Sequence, residues 1–158
     1  MRKLIPIATV IAIVGALAAD VAASTAATKA PTKITCTFRN YSQTPQQLSG
    51  FSFGYIRCPQ PFGRGVQSAT YSATVNATTG AATLKGTFTN WFGVGTVYGT
   101  YNLRGQYTSA TAATYRGTFT IRGGTGAYKG SKATGPLTCS TTDAGATSSC
   151  TSVEDTGH

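Results

Sequence analysis

The 158-residue chain carries 13 Lys and Arg against 4 Asp and Glu, with one His, 4 Cys and 19 Gly, and Thr is its commonest residue. Such a composition disfavours long helices and suits strands and turns. The basic residues are scattered, which excludes a basic nucleic-acid tail.

Arg2 and Lys3 precede an apolar run from Leu4 to Leu17, and small residues follow it. These are the three parts of a secretory signal peptide. Cleavage sites follow Ala18 and Ala23, and the later one is preferred. The run is shorter than the roughly 20 residues that span a bilayer, and no Cys stands near the cleavage zone to carry a lipid. Residues 1–23 therefore read as a signal peptide, and the protein as secreted to the extracellular or cell-envelope space. Without Arg2, Lys3 and Asp20, eleven basic and three acidic residues remain, a net charge of +8. Residues 24–32 are small, polar and unpatterned, a disordered lead-in. One domain is placed at 33–153 and a disordered tail at 154–158.

An even number of cysteines in an exported chain favours disulfides over a metal site, and the only His is His158. Ile34, Cys36 and Phe38 alternate on one strand and Ile56 and Cys58 on another, with a polar loop, 40–50, between them. Residues 134–141 and 147–153 flank the turn Asp143-Ala144-Gly145-Ala146, which sets Cys139 opposite Cys150. The expected bridges are Cys36–Cys58 and Cys139–Cys150, each contributing about 2–4 kcal/mol.

Four segments then keep a period of two. In 66–76, Ala69, Tyr71, Ala73 and Val75 oppose Ser68, Thr70, Ser72 and Thr74. In 81–90, Ala82, Leu84, Gly86 and Phe88 oppose Thr83, Lys85, Thr87 and Thr89. Val97, Gly99, Tyr101, Leu103 and Tyr107 share one face of 96–107, and Ala113, Tyr115, Gly117, Phe119 and Ile121 one face of 112–122. The connections 77–80, 91–95 and 108–111 are short and carry no helical pattern, which excludes a parallel βαβ sheet. Successive half-buried antiparallel strands form an all-β meander, and closure into a barrel removes its edges. A β-sandwich is the alternative. Gly86, Gly99, Gly105 and Gly117, all inward, relieve crowding and let the strands bend. On the solvent side, Lys85, Asn102 and Arg116 come together with Arg104 and Arg122 on the same face. This is a modest basic strip whose contact with anionic surfaces is weak and screened by salt.

The segment from Gly123 and Gly124 through Gly126 and Tyr128 to Gly130 invites a phosphate-loop reading. It lacks the G-x-G-x-x-G order, a Gly-Lys-Ser/Thr ending and a following helix, so that reading fails. It reads instead as a sharp connection in which Gly supplies positive φ and Tyr128 packs over one end of the core. With Cys58-Pro59, Pro61-Phe62-Gly63, Gly65-Val66-Gln67, Trp91-Phe92, Gly95-Thr96-Val97, Gly99-Thr100-Tyr101 and Leu137-Thr138-Cys139, this barrel-end motif resembles the allene oxide cyclase and dirigent-protein barrel superfamily, in its small exported bacterial members. The resemblance covers residues 58–140. It implies a calycin-like antiparallel barrel of about eight strands around an apolar cavity. It leaves the activity open, because one fold hosts several functions: plant dirigent proteins steer phenoxy-radical coupling, and the cyclase closes a fatty-acid epoxide.

The plant proteins of that superfamily place carboxylates in the cavity. Here every inward position from Ala69 to Ile121 is uncharged, and Asp143, Glu154 and Asp155 lie at or beyond the last hairpin turn. No acid–base pair, Ser-His-Asp or Cys-His arrangement can be assembled, so no catalytic residue, metal or cofactor is assigned. Tyr71, Phe88, Tyr101, Tyr115 and Phe119 are the ligand-cavity candidates, the tyrosine hydroxyls being able to orient a ligand. Trp91-Phe92, placed in a turn, reads as an exposed contact pair or as a barrel-end plug. The favoured function is a non-catalytic exported barrel that binds an apolar or aromatic small molecule. The alternatives are a dirigent- or cyclase-like barrel guiding a cyclisation or radical coupling, and a cationic protein binding anionic surfaces. No specific nucleic acid and no membrane span are expected.

Overall fold

The computed structural model describes residues 33–155. The signal peptide, the lead-in and residues 156–158 of the tail lie outside the described residues. The chain forms β1 (Lys33–Ser42), β2 (Ser49–Arg57), β3 (Arg64–Val75), β4 (Ala81–Phe92), β5 (Gly95–Tyr107), β6 (Ala113–Gly124), β7 (Ala133–Thr141) and β8 (Thr147–Asp155). Every strand pairs antiparallel with its chain neighbour, and β8 returns to β1 over Lys33–Tyr41, which closes an eight-stranded barrel. Closure leaves no edge to recruit another chain. The sandwich alternative is set aside. The helical element of the described residues is one 3-10 turn, Gly126–Tyr128, and no helix among them is long and apolar enough to cross a membrane.

The period of two sorts the side chains. Leu103, 1% exposed, sits between Leu84 of β4 and Gly117 of β6. Outward Thr residues pair across strands, with Thr70 and Thr87 hydroxyls 2.8 Å apart and a matching Thr74–Thr83 contact at 2.6 Å, a favourable use of β-branched side chains. Inside, large rings face residues without side chains: Tyr101 opposes Gly86, Phe88 opposes Gly99, Tyr115 opposes Gly105 and Phe119 opposes Gly135. A methyl group at Gly105 would enter the Tyr115 ring, and one at Gly86 would meet the Thr70 carbonyl. The inward glycines are the spaces that the rings of the next strand occupy. One irregularity, between Tyr98 and Gly99, leaves Arg122 as the extra residue of β6, a bulge that bends the strand.

Both disulfides form as expected, Cys36–Cys58 and Cys139–Cys150. Four boundaries differ from the sequence reading. β1 and β2 each run further, so their loop shrinks to 43–48. Trp91 and Phe92 are the last residues of β4 and not a turn; the connection is 93–94 alone. Val75 keeps the inward row, opposite buried Ala82, but at the strand end it is 39% exposed. β8 continues past 153 to Asp155, which pairs with Lys33.

The two ends are finished differently. The connections 58–63 and 125–132 fold inward at what we term the lower end. There Phe62 stacks on Tyr128 with centroids 5.1 Å apart, and Phe92 meets both rings at 5.7 and 5.5 Å. These rings pack with Ile34, Ile56, Val97, Ile121 and the Cys36–Cys58 bridge. At the upper end lie the connections 43–48, 76–80, 108–112 and 142–146, which are polar.

Candidate functional site

Beneath the upper connections is a cavity of about 190 Å³. Its apolar wall comes from Ala69 (β3), Leu84 and Phe88 (β4), Leu103 (β5) and Phe119 (β6). Gln46, Gln47 and Leu48 of the first loop and Ala144 and Gly145 of the last turn form its rim. All its lining residues are uncharged. The five residues singled out in the sequence, Tyr71, Phe88, Tyr101, Tyr115 and Phe119, all line it.

The tyrosine hydroxyls have other duties than the sequence suggests. The Tyr71 hydroxyl donates to the Thr44 carbonyl at 2.7 Å and also contacts the hydroxyls of Thr44 (2.7 Å) and Ser42 (2.9 Å). It thereby anchors the rim loop. Tyr101 reaches over Gly86 and donates to the Thr70 carbonyl at 2.8 Å. Burial, and secondarily the neighbouring Tyr71, hold Tyr101 neutral well above the usual tyrosine range. Burial, helped by the Tyr107 hydroxyl, does the same for Tyr115, whose ring stands edge-on to Tyr107 at 6.4 Å. Of the three, Tyr71 and Tyr101 spend their protons on the protein's own backbone.

Neutral amides supply the polar part of the cavity instead. Asn40 (β1), Gly54 (β2), Gln67 (β3) and Asn90 (β4) are consecutive in one inward row. Gln67 donates to the Asn90 side-chain oxygen at 2.8 Å, both residues being buried. Gly54 leaves room for the Asn40 amide, whose oxygen would collide with a methyl group there. That oxygen is buried without a hydrogen-bond partner, as is the hydroxyl of Ser152, which also lines the cavity. The period of two already placed Gln67 and Asn90 inward, two residues from Ala69 and Phe88. Their polarity hides them, and Asn40, which the sequence reading puts in the loop 40–50, belongs to β1.

The glycine-rich motif sits at the other end. Gly123 and Gly124 finish β6, Gly126 and Gly130 take φ of 58° and 81°, and Tyr128 is buried in the plug. The backbone N–H of Ala127 donates to the Val94 carbonyl at 2.9 Å, tying this connection to the β4–β5 turn. Trp91 and Phe92 divide the two roles between them: Phe92 is part of the plug, and Trp91 points outward, 41% exposed. Compared with known proteins, the chain matches no family model, no curated protein and no solved structure.

Proposed function

We propose that this protein is an exported, non-catalytic barrel that holds a neutral apolar or aromatic small molecule in the upper half of its interior. The observation that carries this reading is the uncharged cavity of about 190 Å³ in a barrel whose other end is filled. An apolar cavity of about 150 Å³ accommodates benzene, so one substituted ring is the matching size. The Asn40, Gln67 and Asn90 amides offer a place for one polar group on that ring. General acid–base chemistry calls for a titratable group beside the substrate, and the lining holds only tyrosines of that kind, two of them kept neutral by burial. The two disulfides, together with the leader-like N-terminus, support export. The closed eight-strand meander is the architecture that a resemblance to the allene oxide cyclase and dirigent-protein barrels implies.

Titration of neutral one-ring compounds into the isotope-labelled mature protein, followed by NMR, tests the reading. Saturable shifts should centre on Ala69, Phe88 and Phe119. Ala69→Phe, which fills the cavity, should abolish them in a protein that keeps a folded spectrum. A wild-type protein that shows no saturable shift with such a panel overturns the reading.

A further inference from the structure

The outer wall of the barrel is distinct from the cavity and differs from strand to strand. Over most of the barrel the outward side chains are Thr, Ser, Lys and Arg, but Tyr41 of β1, Phe51, Phe53 and Tyr55 of β2 and Trp91 of β4 expose rings close together. The reason lies in β2. Cys58 is drawn inward by its bridge to Cys36, and alternation then sends Ile56, Gly54 and Ser52 in and Tyr55, Phe53 and Phe51 out. Tyr41 faces Phe53, Tyr55 faces Val66, and Val66 faces Trp91. Tyr55 is 65% exposed and Phe53 51%. These five residues border a shallow depression. A contiguous exposed apolar patch of this kind marks an interaction surface.

Charge selects the partner. Arg39 opposes Tyr55 and lies over the Tyr41 ring at 5.8 Å, while Arg57 and Arg64 oppose each other at the lower edge of the patch. The sequence has no Asp or Glu between Asp20 and Asp143, so no acid on β1–β7 offsets them. Like charges directly opposed on a sheet are destabilising, and an anionic partner relieves that cost. A second copy would add the same arginines to the interface. The rings lie along strand bodies and not on protruding loop tips, which suits a polymer laid across the strands better than insertion into lipid. Sugar rings offer C–H groups to the negative face of aromatic rings, and carboxylates accept paired hydrogen bonds from Arg. We propose that the outer face of β1–β4 docks an acidic polysaccharide, its sugar rings on Phe53, Tyr55 and Trp91 and its carboxylates on Arg39, Arg57 and Arg64.

Binding of the mature protein to immobilised polygalacturonate, at an ionic strength of about 0.15 M where exposed charges are screened within about 8 Å, tests this. Trp91→Ala, Tyr55→Ala and the double variant Arg57→Gln/Arg64→Gln should each weaken binding roughly tenfold, as loss of a hot-spot contact does. Tyr55 is exposed enough that its variant stays informative if the Trp91 variant misfolds. Lys85→Gln/Arg104→Gln, on the other basic area, should bind as wild type, and so should Ala69→Phe, which separates this surface from the interior cavity. The proposal is overturned by wild-type protein that does not bind, by equal binding to neutral hydroxyethylcellulose, or by ring variants that bind as wild type. It is equally overturned by a preference for phosphatidylglycerol vesicles, or by self-association that Trp91→Ala abolishes.

Discussion

At the lower end of the barrel Phe62, Phe92 and Tyr128 close over a packed apolar core; at the upper end loop 43–48 and turn 142–146 meet above a cavity. The same strands run through both ends, and beyond Phe92 of β4 the rings that fill the lower end come from the connections. The 58–63 and 125–132 connections each bring a ring inward, and burying such a ring is favourable by roughly 1.5–3 kcal/mol. The upper connections carry Gln, Asn, Thr and Ser, whose polar groups cost free energy if buried without partners. They stay at the surface, and the space below them is left to inward residues that cannot fill it. The contrast teaches that connections decide whether a barrel end is capped when, as with Phe62 and Tyr128, they add rings to a core that strand residues such as Phe92 have begun.

The sharpest way to break that comparison is to truncate one apolar side chain at each end. Phe92→Ala should cost about 3–5 kcal/mol, whereas Leu48→Ala on the rim, 59% exposed, should stay within about 0.5 kcal/mol. Urea unfolding measures both, and equal losses would mean that the plug is no more essential than the rim.

Tyr71→Phe probes the upper end alone. Its hydroxyl is the anchor of loop 43–48, so its removal should cost about 1 kcal/mol. Amide exchange should accelerate in 43–48 and leave Phe62, Phe92 and Tyr128 as protected as before. Faster exchange at the plug would show that the two ends are coupled.

The smallest effect belongs to Asp143 in the last turn. The Thr147 hydroxyl and backbone N–H, and then the Thr141 hydroxyl, donate to its carboxylate and hold its pKa below the usual carboxylate range. A folded pKa lower than the unfolded one means that this stabilisation is present above about pH 4 and is lost as pH falls through the folded value. Asp143→Asn should therefore loosen exchange in 142–146 slightly at neutral pH. In acid the variant and wild type should converge. A difference that grows in acid would contradict the assignment.

Much of the fold could be read before the structure. From Ala69 to Ile121 the alternation named the inner face nearly residue by residue, because a strand with one buried face has no other periodicity available. The Cys139–Cys150 bridge was equally readable, since a hairpin turn sets its own register. The Asn40–Gln67–Asn90 row escaped because polarity argues for the surface, and only the strand register aligns the three amides and sets Gln67 beside Asn90.

Taken alone, the amino-acid sequence determined the strand periods, the short turns, the pairing of the four cysteines and the absence of acids from β1–β7, all of which depend on local geometry or composition. The tertiary structure decided which outward residues become neighbours: register sets Tyr41 beside Phe53, Tyr55 beside Val66 and Val66 beside Trp91. By hydrophobicity Phe51, Phe53 and Tyr55 belong inside, but alternation is a rigid constraint and the buried Cys36–Cys58 bridge sets its phase. Ile56 and Cys58 record that phase in the sequence, but the gathering of the rings of three strands into one patch depends on cross-strand register, which no single strand encodes.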